Sequence, residues 1–266
     1  MQPSSPGADA AHRPARADGL CLVPVTLDGA EVPMAVRREP CETGPRLVWL
    51  HGWGQDHRAF AALASGLAGE AEHLFVDFPG FGSSPPPPGD WDSGTYARHL
   101  RACLATLPAR PTALIGHSFG GRVIFHLASD PFEGFMRGIA IAGAGLRRRR
   151  SLRYRLRAEG LKRLGRLTRL ADRLFGTKLH GAYSARFGSA DYRKAGPMRG
   201  TLVKVVSEDL APQARAAKVP LLFLYGEKDT ETPPELGRRA AELAPGSSFR
   251  ELPGLDHYSV LGPSAH

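Results

Sequence analysis

The sequence predicts an α/β protein: a mostly parallel sheet flanked by helices on both faces, with one helical segment inserted between two late strands. Three observations lead there. Short apolar runs alternate with helix-periodic runs along almost the whole chain, the pattern of parallel strands joined by crossover helices. A pentapeptide of the form G-x-S-x-G, Gly116-His117-Ser118-Phe119-Gly120, lies between one such run and the helix-like stretch that follows it. Between about Gly145 and Pro212 the alternation stops, and leucines recur at three- to five-residue spacing among arginines.

Taken in order, Leu20–Leu27 and Val32–Arg37 read as paired strands around a turn at Asp28-Gly29. Arg46–Leu50 is a short buried strand, followed by a glycine turn and a helix near Arg58–Leu67. His73–Asp77 is the next strand, and the stretch from Phe78 to Pro88 holds too many prolines for regular structure. Tyr96–Leu107 has helical spacing. Thr112–His117 is the strand that feeds Ser118, and Gly138–Ala142 is another apolar strand after the next helix. Val219–Tyr225 and Ser248–Leu252 complete the strands, with a helix at Pro234–Leu243 between them. This divides the chain into a tail (1–18), a core (19–144 and 213–266) and a basic helical cap (145–212). The tail is polar and charged, lacks the apolar stretch of a signal peptide, and is expected to be disordered.

Composition narrows the function classes. No run approaches the roughly 20 apolar residues that span a bilayer. The three cysteines, Cys21, Cys41 and Cys103, form no metal-spaced cluster and are an odd number, so a reducing cytoplasm is the plain expectation. The net charge of +9 is localised: between Arg147 and Arg173, eleven Arg and one Lys face only Glu159 and Asp172, a net of +10. The remainder is close to neutral, which argues against a general nucleic-acid-binding surface.

The chemistry is carried by residues at strand ends. A serine hydroxyl becomes a useful nucleophile when a base removes its proton during attack, and the base needs a carboxylate to orient it. For a serine on a strand-to-helix turn the expected chain order is Ser, then Asp or Glu, then His. Asp229, in Tyr225-Gly226-Glu227-Lys228-Asp229, and His257, in Gly254-Leu255-Asp256-His257, follow apolar strands in that order. Glu227, Asp256 and Asp209 are alternative acids. Donors for a developing oxyanion are expected from the glycine turn His51-Gly52-Trp53-Gly54 and from the N–H of Phe119 at the start of the helix. His51 and His117 adjoin strand ends and are expected to bond loop backbone. The Trp53 side chain is expected to line an acyl pocket.

Together these motifs, with Asp77-Phe78-Pro79-Gly80-Phe81-Gly82-Ser83-Ser84, resemble the α/β-hydrolase superfamily in order and approximate spacing. The resemblance runs from about Leu20 onward, the cap excepted, and implies an α/β-hydrolase fold with an eight-stranded, mostly parallel sheet. It implies Ser118 as nucleophile, Asp229 as acid, His257 as base, and the N–H groups of Trp53 and Phe119 as oxyanion hole. Asp77 resembles a residue that braces its loop. Serine at 118 argues against the branches that use aspartate there. In the superfamily a helix normally follows the histidine, whereas only nine residues follow His257, so a shortened closing helix is expected.

The expected activity is hydrolysis of a carboxylic ester or thioester, chemistry that needs no metal or organic cofactor. Two alternatives stay open: carbon–carbon bond hydrolysis of a vinylogous diketone, and a hydrolase-like binding protein without turnover. The run Arg147, Arg148, Arg149 and Arg150 reads either as a solvated face or as a docking site for an acidic partner. A branch of the superfamily with the same His-Gly-Trp-Gly turn joins it to a basic cap that receives an acidic carrier protein. An anionic surface would suit the same charge.

Overall fold

Strand β5 (Arg46–Leu50) is apolar on both faces because it runs through the middle of the sheet, hydrogen-bonded in parallel to β6 (Glu72–Asp77) on one side and β7 (Thr112–His117) on the other. The structure, a computed structural model, describes residues 19–148, 152–179 and 195–262; the expected tail, Arg149, Arg150 and part of the expected cap lie outside them. The remaining strands of the sheet are β1 (Leu20–Val23), β4 (Met34–Glu39), β8 (Phe135–Ile141), β9 (Leu221–Gly226) and β10 (Ser248–Leu252). The eight-stranded order is β1-β4-β6-β5-β7-β8-β9-β10, and only the pairings of β4 with β1 and with β6 are antiparallel. The expected mostly parallel, eight-stranded sheet is thus present.

The first expected strand is split into two, and the second begins two residues later than expected, after a short separate strand. Pro24 and Pro33 fall at matching places in the two arms, and each lacks the N–H that a ladder needs. The outer portions, β1 and β4, join the main sheet, while β2 (Thr26–Leu27) and β3 (Ala30–Glu31) form a separate ribbon. Asp28 and Gly29 close that ribbon with φ of +49° and +82°, the two positive values that a tight hairpin turn demands.

Side-chain alternation divides the core into two layers. Trp49, Phe75, Ile115 and Ile141 point to one face, where they pack with Phe60, Ala64, Val260 and Leu261. Val48, Leu50, Leu74, Val76 and Leu114 point to the other, against helices α2 (Ser93–Leu104), α3 (Phe119–Ser129) and α7 (Pro234–Leu243). The first face is covered in part by α1 (Ala61–Ser65), which a 3-10 turn at His57–Phe60 introduces. Helix α2 begins three residues before its apolar spacing does, because Asp92 accepts a hydrogen bond from Thr95 N at 2.7 Å and caps it. Cys103 is buried under this helix and burial pushes its thiol up to about 12, while Cys21 and Cys41 are half-buried.

Between β8 and β9 lie α4 (Leu152–Phe175), α5 (Arg199–Ser207) and α6 (Ala211–Arg215). Ala214 belongs to the same apolar layer as α3, so α6 straddles the junction expected at 212. Among the described residues no helix is long and apolar enough to cross a membrane. A buried polar cluster fastens the return of the segment. Glu208, just after α5, accepts from Ser93 N at 2.8 Å and Ser93 Oγ at 2.5 Å and lies 3.5 Å from the Arg122 guanidinium. Ser93 Oγ is also 2.9 Å from His126 Nε2.

Replacing Glu208 by Ala strands the Arg122 cation in a mostly dry site, and should lower the unfolding free energy by about 3 kcal/mol. The expected reading is a lower urea midpoint at unchanged slope. A loss below about 1 kcal/mol would mean that solvent already screens the pair.

Candidate active site

Ser118 ends β7 and precedes α3 in a backbone conformation of φ +46° and ψ −100°. Holding a non-glycine residue there costs about 1–3 kcal/mol, which the surrounding structure must offset. Three glycines make the turn sterically possible. A Cβ on Gly116 would stand 2.5 Å from the Gly120 carbonyl carbon, one on Gly121 would stand 2.8 Å from Gly143 Cα, and one on Gly120 would fall on the Leu50 carbonyl oxygen. The turn is then tied to the strand beside it: Ser118 N donates to Ile141 O at 3.0 Å, and Ser118 O accepts from Ala144 N at 2.9 Å. The side chain is half-buried, and its hydroxyl has no hydrogen-bond partner among the described residues.

The expected acid and base come together in the loops after β9 and β10. Asp229 Oδ2 is 2.8 Å from His257 Nδ1, and both side chains are buried. The carboxylate is held from behind: Oδ1 accepts from the N–H groups of Glu231 at 2.9 Å and Thr232 at 2.8 Å, and Oδ2 accepts from Thr232 Oγ1 at 2.9 Å. These donors leave Asp229 as an acceptor, so His257 presents Nδ1–H to it and keeps Nε2 free to take a proton. Thr232 Oγ1 also contacts Ala142 O at 2.8 Å, which links the acid loop to the end of β8. The half-exposed Glu231 carboxylate lies 3.5 Å from His257 Nε2, a contact that is attractive when the ring carries its second proton. Sequence reading missed both residues. Thr232, three residues after an aspartate in a turn, was the detectable one.

The alternative acids fall elsewhere. Glu227 accepts from Gly254 N at 2.8 Å, and Asp256 caps the turn after His257 by accepting from Tyr258 N at 3.1 Å and Ser259 N at 2.9 Å. Asp209 is exposed beside the start of α6 and accepts from Ala211 N. Glu227 and Asp256 instead anchor the histidine loop, together with Lys228 N donating to Leu255 O at 2.8 Å. Among the described residues one 3-10 turn, Ser259–Leu261, follows His257, and its Val260 and Leu261 are buried against the sheet.

His51 and His117 bond backbone as expected. His51 Nδ1 donates to Gly52 O at 2.7 Å, and Nε2 accepts from Phe78 N at 3.0 Å; burial lowers its pKa, so the ring is neutral. His117 is held at about 3 by burial and by the neighbouring His257 ring. A neutral ring has one N–H to give. The His257 carbonyl, 2.8 Å from Nε2, is the better claimant, because Gln55 Oε1 near Nδ1 already accepts from Gly52 N. Asp77 spans its loop, accepting from His57 N at 2.7 Å and Ser83 N at 2.8 Å.

The Trp53 ring packs edge-on against Phe81 and Phe119, at centroid distances of 4.9 and 5.9 Å, beside the serine turn. Phe119 is the first residue of α3, so its N–H has no acceptor inside the helix. Arg147 and Arg148 are partly engaged by the protein itself. Arg147 Nη2 donates to Ser207 O at 2.7 Å, and Arg148 contacts Thr230 O at 3.3 Å and Glu235 at 3.8 Å. Arg149 and Arg150 lie outside the described residues.

Comparison with known proteins bears on the family and the fold. The sequence model of the alpha/beta hydrolase family matches residues 47–265. A pimeloyl-[acyl-carrier protein] methyl ester esterase of Chromobacterium violaceum is 29% identical over 235 residues, covering 82% of this chain and 89% of that protein. An AB hydrolase superfamily protein of Bacillus subtilis, YisY, is 26% identical over 79% of this chain and 82% of its own length. A solved hydrolase structure from Pseudomonas aeruginosa PA01 superposes with a TM-score of 0.67 at 22% identity, covering 94% of this chain and 96% of the other.

Two predictions follow from the geometry. Gly120→Ala must push β5 away from the serine turn and should give insoluble or inactive protein. Gly160→Ala, on an exposed turn of α4 where a Cβ meets nothing within 4 Å, should be tolerated and stabilise by up to about 1 kcal/mol. Soluble, fully active Gly120→Ala would contradict the close approach.

Buried neutral histidines set an acid limit. With a folded-state value of about 3 against 6.5 for an ordinary ring, His117 takes up its proton only on unfolding between those limits. Its contribution is complete above pH 6.5 and declines as pH falls towards 3, by at most about 1.4 kcal/mol per pH unit. Urea midpoints measured from pH 7 downward should fall accordingly; midpoints that stay constant across this range would exclude a buried neutral ring.

Proposed function

The chain belongs to the alpha/beta hydrolase family, and on that footing we propose that it cleaves a carboxylic ester or thioester through an acyl-enzyme on Ser118. The observation that carries the reading is the buried Asp229–His257 pair, at 2.8 Å, on loops that end at the same sheet edge as the serine turn. The similarity to a methyl ester esterase over 82% of the chain supports an ester as substrate.

In this reading Ser118 Oγ attacks the acyl carbon while His257 Nε2 takes its proton, and Asp229 stabilises the imidazolium. The N–H groups of Trp53 and Phe119 receive the oxyanion, each contributing roughly 3–4 kcal/mol to the transition state. Collapse expels the alcohol or thiol, which leaves with the proton from Nε2. Water then attacks the acyl carbon, gives its proton to His257, and the acid departs as Ser118 regains its hydrogen. Glu231 adds negative charge beside the imidazolium that both steps form.

The segment between β8 and β9, of which α4, α5 and α6 are described, is assigned the role of a cap, and the three free thiols fit a cytoplasmic enzyme. Because the relative's printed name specifies a carrier-bound ester, an acidic carrier protein is the first macromolecular acyl donor to test beside small esters.

A fluorophosphonate probe should label Ser118, and p-nitrophenyl esters of graded chain length should be hydrolysed with kcat falling about 10⁴-fold in Ser118→Ala. No labelling and no hydrolysis above that variant would overturn the proposal. Labelling without ester turnover would redirect it to carbon–carbon bond hydrolysis.

A further inference from the structure

Helix α4 turns four of its leucines and its last phenylalanine away from the protein. Leu164, Leu167, Leu170, Leu174 and Phe175 are between 44% and 78% exposed. At 3.6 residues per turn they share an arc of about 140° along about 17 Å of helix. The strip of helix beside the Phe175 edge of that arc is the less exposed one: Gly165 is buried, and Leu161, Thr168 and Asp172 are half-buried. An amphipathic helix of a globular protein is normally docked the other way round, apolar face inward.

The arginines complete the pattern. Arg166 and Arg173 lie about 40° and 60° beyond one edge of the leucine arc and Arg163 projects within it, whereas Arg169 lies about 100° beyond that edge and donates to Gly165 O at 3.2 Å. All four are exposed. Arg163 meets only Glu159, at 3.8 Å within the same helix, and among the described residues Arg166 and Arg173 have no acidic partner. A row of large apolar side chains bordered by guanidinium groups on long stems has the form of a helix lying in a bilayer interface. There the apolar face enters the acyl boundary and the cations reach up to the phosphates.

We propose that α4 is a docking surface for an anionic lipid bilayer, with Leu164, Leu167, Leu170, Leu174 and Phe175 inserted and Arg163, Arg166 and Arg173 on the headgroups. The occupant follows from charge. A second copy of this chain, seated on the same stripe, would bring the two arginine rows together without acids to separate them. An anionic bilayer neutralises every cation and covers all five apolar side chains in one plane. The inference does not depend on the hydrolase reading, since binding needs neither Ser118 nor His257.

The test is flotation of the full chain with vesicles of phosphatidylcholine alone or mixed with phosphatidylglycerol. Binding should require phosphatidylglycerol and weaken steeply as the Debye length shortens from about 10 Å at 0.1 M salt to about 3 Å at 1 M. A Leu167→Ser, Leu170→Ser, Leu174→Ser triple variant and an Arg163→Gln, Arg166→Gln, Arg173→Gln triple variant should each bind at least about tenfold more weakly. Both replace exposed side chains, so circular dichroism and probe labelling of Ser118 should match the parent. Failure of the parent to float with anionic vesicles overturns the proposal. So does binding unchanged in the arginine variant. Self-association lost in the leucine variant, with vesicle binding intact, would assign the stripe to a second copy. Capture by an acidic carrier protein without vesicle binding would assign it to that partner instead.

Discussion

The close approach of three backbones at the serine turn is the constraint on which the rest is hung. β7 must stop, reverse through Ser118 and start α3 within van der Waals reach of Leu50 in β5 and Gly143 beyond β8. No residue larger than glycine fits at 116, 120 or 121 without moving main chain. The strain at Ser118 is then offset by a short segment after β8 that serves two clients. Ile141 and Ala144 bond the serine turn, while Ala142 O lies 2.8 Å from Thr232 Oγ1 of the acid loop and Gly143 accepts from the Tyr225 hydroxyl at the end of β9. Ser118 and Asp229 are therefore positioned by one scaffold. The histidine loop is referred to it through the His117–His257 hydrogen bond.

What was legible in the sequence was whatever depends on local spacing. Parallel strands buried on both faces leave uninterrupted apolar runs, so β5, β7 and β9 announced themselves. Catalytic candidates collect in the loops that follow such runs, so Ser118, Asp229 and His257 could be read from order alone. The first two strands were misjudged in extent because a proline in each arm breaks the ladder, even though the hairpin at Asp28-Gly29 was visible. Relations between residues distant in sequence left no trace. Nothing in Ser93, Arg122, His126 and Glu208 predicts that they meet, since Ser93 and Glu208 lie 115 residues apart. Glu231 was silent for a different reason: it adjoins the right loop, but no spacing rule reveals which way a half-exposed side chain points.

The inserted segment shows the same limit from another side. Periodicity correctly announced an amphipathic helix, because spacing fixes which residues share a face. It says nothing about what that face meets. Among the described residues the segment has polar contacts at its two ends, Arg147 and Arg148 at its departure and Glu208 at its return, while Leu164, Leu167, Leu170 and Leu174 stay exposed. A helix held by its ends keeps its long apolar flank available, which a hydrophobically docked helix could not do without undocking.

The hydrogen bond from His117 to the His257 carbonyl joins residues 140 positions apart, and that separation has a temporal meaning. Chains are made from the amino end, and early strands can pair while later ones are still unsynthesised. The sheet order lets β4, β5, β6, β7 and β8 assemble without β9 or β10. Asp229 and His257 arrive only with those last two strands, and the loop-closure cost of such distant pairing falls at the end of assembly. A nascent or prematurely truncated chain can thus hold a shaped serine turn yet lack its base. On the proposed mechanism, the serine turn therefore stays chemically inert until β9 and β10 have joined the sheet.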